Sequence, residues 1–265
     1  SQYIPEDPDK NVVGAVAEAL DAPAHIRIDK GVRPASGLGS SAASAAGAAV
    51  ALDALYDAPE IDLVVCRQEG GAAMMADAHA KFTGKPGICF VTRGPGATNA
   101  SSGVHVAFQD STPLILFVGQ VGRSMRDREA FQEIDYRRMY GELAKWVAQV
   151  DDAARLPEYV SRAFHTALQG RHGPVVLALP EDVLSGPAEA PDARPIRPAV
   201  TQPGAAEMAE LRQRLSRAER PLAILGGGGW SAQAKADFEA FAEANALPVA
   251  CAFRCQDYFD NAHAC

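Results

Sequence analysis

Residues 63–99 read LVVCRQEGGAAMMADAHAKFTGKPGICFVTRGPGATN, and this stretch decides the fold class. An apolar run over residues 61–66 hands over at Arg67-Gln68-Glu69 to a segment with helical spacing, residues 70–82. Gly84-Lys85-Pro86-Gly87 is turn chemistry. A second apolar run, residues 87–92, then ends in Arg93-Gly94-Pro95-Gly96-Ala97-Thr98-Asn99. Strand, helix, strand and glycine loop is the unit of a parallel sheet, because a parallel crossover needs a helix-length connection. Ligands of such sheets gather beyond the carboxyl ends of the strands. Two features fall on that edge: the carboxylate of Glu69 and the Gly-Pro-Gly loop.

Each has a plain reading and a chemical one. An acid in the first turn of a helix complements the positive end of its dipole. A partly desolvated carboxylate in a crevice instead protonates or hydrogen-bonds a heterocycle nitrogen. Gly94 and Gly96 around Pro95 serve either a tight strand-to-helix turn capped by Thr98 or Asn99, or close approach of a ligand to N–H groups at a helix start. No G-K-[ST] follows, so this is not a Walker loop.

The same grammar continues outward. Residues 114–118 and 175–179 read as further strands, and residues 97–108 and 157–168 as helices. The expectation is an α/β fold with a parallel sheet covered by helices on both faces. Residues 186–204 hold five prolines and little apolar periodicity, which reads as a linker. Beyond it come a helix (205–217), a strand (221–225), the glycine run Gly226–Gly229, a helix (231–244) and a strand (248–252), a truncated Rossmann-like unit. Upstream, residues 11–20 read as a helix, 25–28 as a strand, 30–39 as a Gly/Pro loop and 40–56 as a helix.

Composition narrows the function classes. A chain of 265 residues with 48% hydrophobic and 22% charged residues has the makeup of a globular protein with a sizeable core. A net charge of −8 without a basic stripe disfavours nucleic acid and anionic membrane as partners. The five cysteines, Cys66, Cys89, Cys251, Cys255 and Cys265, form neither a disulfide framework nor a C-x-x-C pair, so a cytoplasmic location is expected. No apolar run reaches the roughly 18–20 residues of a membrane span. No metal-ligand constellation is visible.

The motifs together resemble the thiamine-diphosphate enzymes of the acetolactate synthase and pyruvate oxidase type, over residues 53–265. RQEGGAAMMADA (67–78) stands where that family carries R-H-E-x-x-A-x-x-M-A-x-G. GKPGICFVTRGPGATN, AFQDSTPLILFVGQV (107–121), AFQE (130–133), HGPVVLALPEDV (172–183) and ILGGGGWS (224–231) continue the match in order. The resemblance implies a pyrimidine-binding domain at 53–185 and the start of a central domain at 205–265. It implies that Glu69 is the activating glutamate, bonding N1′ of the cofactor's aminopyrimidine so that the ring's imino nitrogen deprotonates the thiazolium. The substrate would be a small 2-keto acid, decarboxylated on the cofactor. Gly94, Pro95, Gly96 and Asn99 would contact the cofactor. Phe131, Gln132 and Lys145 would line the substrate side, where without the resemblance a core aromatic and two solvated polar side chains would be the better reading. A homodimer is implied, with the active site between subunits.

Several residues depart from that pattern. Gln68 replaces the usual histidine and lacks its proton-transfer capacity near neutral pH. His79 and Lys81 stand where tyrosine and arginine are common. The G-D-G…N signature that binds Mg²⁺ and the diphosphate is not in this sequence, so the chain is expected to hold the pyrimidine half of the site. FAD has no G-x-G-x-x-G fingerprint to recommend it, since Ser231 takes the third glycine position. Residues 1–52 instead resemble homoserine kinase: PASGLGSSAA (34–43) is similar to its phosphate loop, with Gly37, Gly39, Ser40 and Ser41 as the phosphate-contacting set. A junction near residues 52–57 and a kinase-type alternative function, ATP phosphotransfer, follow from that resemblance; a non-catalytic dimerising fragment is the other alternative.

Overall fold

The computed structural model describes residues 64–185, 189–190 and 198–263. The expected elements of residues 1–63 and the phosphate-loop candidates Gly37, Gly39, Ser40 and Ser41 lie outside the described residues.

The first unit runs α1 (Glu69–Thr83), β1 (Gly87–Val91), α2 (Pro95–Asp110), β2 (Leu114–Gln120), α3 (Tyr136–Tyr140), β3 (Trp146–Gln149), α4 (Leu156–Leu168), β4 (Pro174–Pro180) and α5 (Glu181–Ser185). Its four strands are parallel in the order β1-β2-β4-β3. The two middle strands are apolar from end to end because helices cover both faces. Leu114, Leu116, Val118, Val176 and Ala178 point to the layer holding α1, α2 and α3. Ile115, Phe117, Val175, Leu177 and Leu179 point to the layer holding α4. This is the period-2 alternation of a pleated strand, with both sets buried.

Helices α1 and α2 pack backbone to backbone. A Cβ on Gly103 would stand 2.5 Å from the Ala73 Cβ, and one on Gly70 would stand 3.1 Å from the Asn99 carbonyl oxygen. Ala73, Ala97, Ala100, Val104 and Ala107 fill the rest of this seam and are fully buried. Small residues are therefore a requirement of the packing, and they fix the start of α1 against the first turns of α2.

Two expectations need correction. The strand expected over residues 61–66 is not formed by residues 64–66, which are irregular, with Val64 and Val65 exposed. β-branched residues form a strand only when a ladder and a packing surface receive them, and among the described residues β1 pairs with β2 alone. Strand β3 was not expected; it is a four-residue edge strand of mixed polarity, too short for a periodic signal.

The second unit holds α6 (Ala205–Arg217), β5 (Ala223–Leu225), α7 (Ala232–Ala244) and β6 (Val249–Cys251). Its two strands are parallel. Leu225, Ala242, Leu247 and Phe259 make a small core flanked by Trp230 and Phe238.

Candidate active site

The site is built where α1 begins. Gln68 is the N-cap, in extended conformation, and its Oε1 accepts the Gly71 N–H at 2.7 Å. This satisfies one of the N–H groups that a helix start leaves without an internal partner. Glu69 is thereby the first helical residue and projects from the carboxyl-terminal edge of the sheet. Asn99, on α2, donates its Nδ2–H to Glu69 Oε2 at 3.0 Å. The two motifs, 30 residues apart in the chain, meet in this hydrogen bond.

The loop between β1 and α2 requires both glycines. Gly94 has φ 64° and ψ −114°, a conformation open to glycine, and a Cβ there would lie 2.7 Å from the Gln132 Cβ. Gly96 lies under the carboxylate: its Cβ would stand 3.6 Å from Glu69 Oε1 and 2.8 Å from the Thr92 Cγ2. Pro95 opens the helix and is exposed. The Gly94 N–H is donated to the Tyr136 hydroxyl at 2.9 Å, and the Tyr140 hydroxyl donates to the Ala97 carbonyl. Both tyrosines are buried, and burial pushes the ionisation of their hydroxyls upward, so they stay neutral.

Gln132 is held against this loop in a left-handed conformation, φ 68°, and Asp127 and Glu129 share that region. Such backbone is costly away from glycine and persists where surrounding bonds enforce it. Here they do. Arg93 Nε donates to the Phe131 carbonyl at 3.3 Å while its Nη1 pairs with Glu181 at 2.8 Å. The Glu133 carboxylate accepts the N–H groups of Asp127 and Ala130 at 2.7 and 3.1 Å, which holds its proton affinity below the usual carboxylate range. Phe131 is 79% exposed, so it is not a core aromatic.

The structure brings Glu69, Gly96 and Asn99 together directly, and seats Gln132 on Gly94. Lys145 is not part of that group. Its ammonium donates to the carbonyls of Thr166 and Gln169 at the end of α4, and its stem covers Gly173. Burial lowers its proton affinity. The helix C-terminus supplies the partial negative charge that attracts it, a partner that its sequence neighbourhood does not announce. Tyr136 and Tyr140 escaped the sequence reading, and Arg93 and Glu133 stood in its motifs without a role, because their partners are distant or are backbone groups.

A separate cleft of about 510 Å³ lies between the units, lined by Ser111, Gly170, Arg171, His172 and Gly227–Gly229. Arg171 is already committed to Ser111 Oγ at 2.7 Å and to the Phe108 carbonyl at 3.2 Å. Burial lowers the proton affinity of His172. Among the described residues no group of three or more His, Cys, Asp and Glu could hold a metal ion, and no helix is long and apolar enough to cross a membrane.

Known proteins share much of this chain's sequence and fold. Residues 44–139 match the N-terminal TPP binding domain of thiamine pyrophosphate enzymes, and residues 208–265 match their central domain. The large subunit of acetolactate synthase isozyme 2 from Escherichia coli K12 is 38% identical over 204 residues, covering 76% of this chain and 37% of that protein. Acetolactate synthase from Arthrospira platensis is 37% identical over 212 residues, covering 78% of this chain and 37% of that protein. Among solved structures, a thiamine diphosphate-dependent 4-hydroxybenzoylformate decarboxylase from Rhodococcus jostii RHA1 superposes with a TM-score of 0.63 at 28% identity, covering 70% of this chain and 36% of the other. The chain thus spans little over a third of the length of these relatives. The kinase alternative finds no support in these matches, the first of which begins at residue 44, inside the segment that resembles homoserine kinase. With the glutamate and glycine-loop motifs meeting as described, the chain belongs to the thiamine pyrophosphate enzymes and is acetolactate synthase-like.

Proposed function

We propose that this chain forms the pyrimidine half of the cofactor site in a thiamine-diphosphate-dependent enzyme that decarboxylates, and joins to an acceptor, a small 2-keto acid. The observation that carries the reading is the Glu69 carboxylate, bonded at Oε2 by Asn99 and lying at Oε1 over Gly96. The residues fit the group: a Cβ at position 96 would stand in contact with that carboxylate and 2.8 Å from the Thr92 Cγ2, and glycine keeps that place open for a flat ring. When bound, thiamine diphosphate supplies the electron sink that decarboxylation of a 2-keto acid needs.

This chain's own residues do the rest. Glu69 would hold the proton it shares with N1′ of the aminopyrimidine. Gly96 would let the ring approach the backbone, while Gly94 makes room for Gln132 and its N–H is held by Tyr136. Gln132, seated on Gly94, and the exposed Phe131 would flank the approach on the substrate side. Magnesium and the diphosphate are held, in this reading, by the share of the relatives' length that the chain does not span. A homodimer in the cytoplasm completes the proposal; the free thiols of Cys66, Cys89, Cys251 and Cys255 favour a reducing compartment.

Calorimetric titration of the chain with thiamine diphosphate and Mg²⁺ tests the reading. Binding that Glu69→Gln abolishes is expected, without release of CO₂ from pyruvate by the chain alone. Equal binding by the wild type and Glu69→Gln overturns it.

A further inference from the structure

We propose that Asn99 is a positioning residue: its amide holds one oxygen of Glu69 so that the other, over Gly96, is the oxygen presented to the aminopyrimidine. The inference rests on the thiamine-diphosphate reading of the site and assigns a role within it.

Three observations converge. A glutamate at an accessible helix start has several rotamers to lose on ordering, and the bond from Asn99 Nδ2 to Oε2 at 3.0 Å selects one of them. The selected rotamer sets Oε1 3.6 Å from the place a Gly96 Cβ would take, on the side of the glycine loop. Finally, the spacing of donor and acceptor is fixed from below. Gly70 lies against the Asn99 carbonyl and Gly103 against Ala73, so α1 cannot slide or rotate on α2 without a backbone collision. Gln68 fixes the same helix start from outside by capping Gly71.

The side-chain type at position 99 follows from this geometry. An amide donates without adding charge, so the carboxylate is oriented and no rival ion enters the site. Aspartate would set a like charge beside Glu69, and serine would be too short to reach across the seam. Nor is Asn99 a core residue. It is exposed, so a purely structural role would show as stability and would leave ligand chemistry unchanged. Preorganising a reacting group through a fixed neighbour is worth most when that neighbour stands on a rigid element, and both helices here are rigid by packing.

The test uses the whole chain and the probe 4-amino-5-hydroxymethyl-2-methylpyrimidine labelled with ¹⁵N at its ring nitrogens. NMR titration gives its affinity and, from the N1′ shift across pH, the protonation midpoint of the bound ring. Asn99→Ala is expected to melt as the wild type does, to bind the probe about five- to tenfold more weakly, as loss of one charge-assisted hydrogen bond allows, and to move the N1′ midpoint. Asn99→Asp is expected to weaken binding most at pH values where both carboxyls are ionised. A direct readout needs no ligand: the Asn99 side-chain NH₂ resonances should shift in Glu69→Gln.

Unmoved Asn99 resonances in Glu69→Gln overturn the inference. So does probe binding that depends on Glu69 while Asn99→Ala keeps the wild-type affinity and pH profile; the thiamine-diphosphate reading then survives without it. Absent binding, or binding indifferent to Glu69→Gln, overturns both.

Discussion

The two units of this chain are written in the same alternation of helix and strand, yet they differ in what each element covers. In the first unit β2 and β4 are buried on both faces, and α4 buries Ala163 and Ala167 fully. In the second, α6 has the same 13-residue length as α4 but no buried residue, and its Met208, Leu211 and Leu215 stripe is exposed. Ile224 of β5 is 69% exposed, where the comparable Ile115 of β2 has no exposure at all. An amphipathic pattern states which face an element would bury. Whether burial occurs depends on a partner layer, which the first unit has and the second largely lacks among the described residues.

The sharpest way to break the contrast is to wedge apart the tightest seam. Gly103→Val places branched carbons against Ala73 and should cost roughly 2–4 kcal/mol in denaturant unfolding of the first unit. Hydrogen exchange in α7 should be unchanged; a matching loss there would show that the units unfold together. Tyr140→Phe comes next. It deletes the buried donor to the Ala97 carbonyl and is expected to cost about 1–2 kcal/mol, with faster amide exchange in the first turns of α2 as its local signature.

A smaller effect has the opposite sign. Lys81 meets Asp77 and Asp110 at 2.7 Å each, but it leaves Asp77 Oδ1 as the buried side-chain atom without a hydrogen-bond partner among the described residues. The guanidinium fork of Lys81→Arg serves both oxygens, so a gain of about 0.5–1 kcal/mol is expected. An unchanged or lower melting temperature would refute it.

The AFQE loop gives a pH test. Glu133 binds protons less readily when folded than when unfolded, because it accepts two backbone N–H groups. Its contribution to loop order is therefore complete above the ordinary carboxylate range and is lost as pH falls through the depressed folded value. The Asp127 and Ala130 amide shifts should titrate together at a midpoint below that range. The smallest effect is reserved for the second unit: Leu211→Ser on α6 should change stability by less than about 0.5 kcal/mol. A larger loss would mean that this face is covered in solution.

Legibility in the sequence followed burial and chain distance. β2 and β4 were readable because burial on both faces demands continuous apolar runs, and α1 because Gly84 marks its end; α2 was readable from residue 97, although it starts two residues earlier at Pro95. β3 was hidden: four edge residues, Trp-Val-Ala-Gln, carry no period. The Glu69 and Gly94–Asn99 segments were legible as motifs, but their joining through Asn99 was not. The same holds for the bond from Gly94 to Tyr136, 42 residues away. Lys145 misled for a related reason, since its partners are main-chain carbonyls that the sequence does not distinguish from any others.

One detail of β1 gives the chain a chemical handle. Burial pushes the Cys89 thiol up to about 12, whereas Cys66 is only partly covered, with its Sγ 3.5 Å from Met75 Sδ, three residues before Glu69. Alkylating reagents consume thiolate, so Cys89 is silent at neutral pH while Cys66 remains open to labelling. A fluorophore carried on Cys66 would sit three residues before Glu69, at the threshold of the proposed pyrimidine site, and its emission would register what enters there.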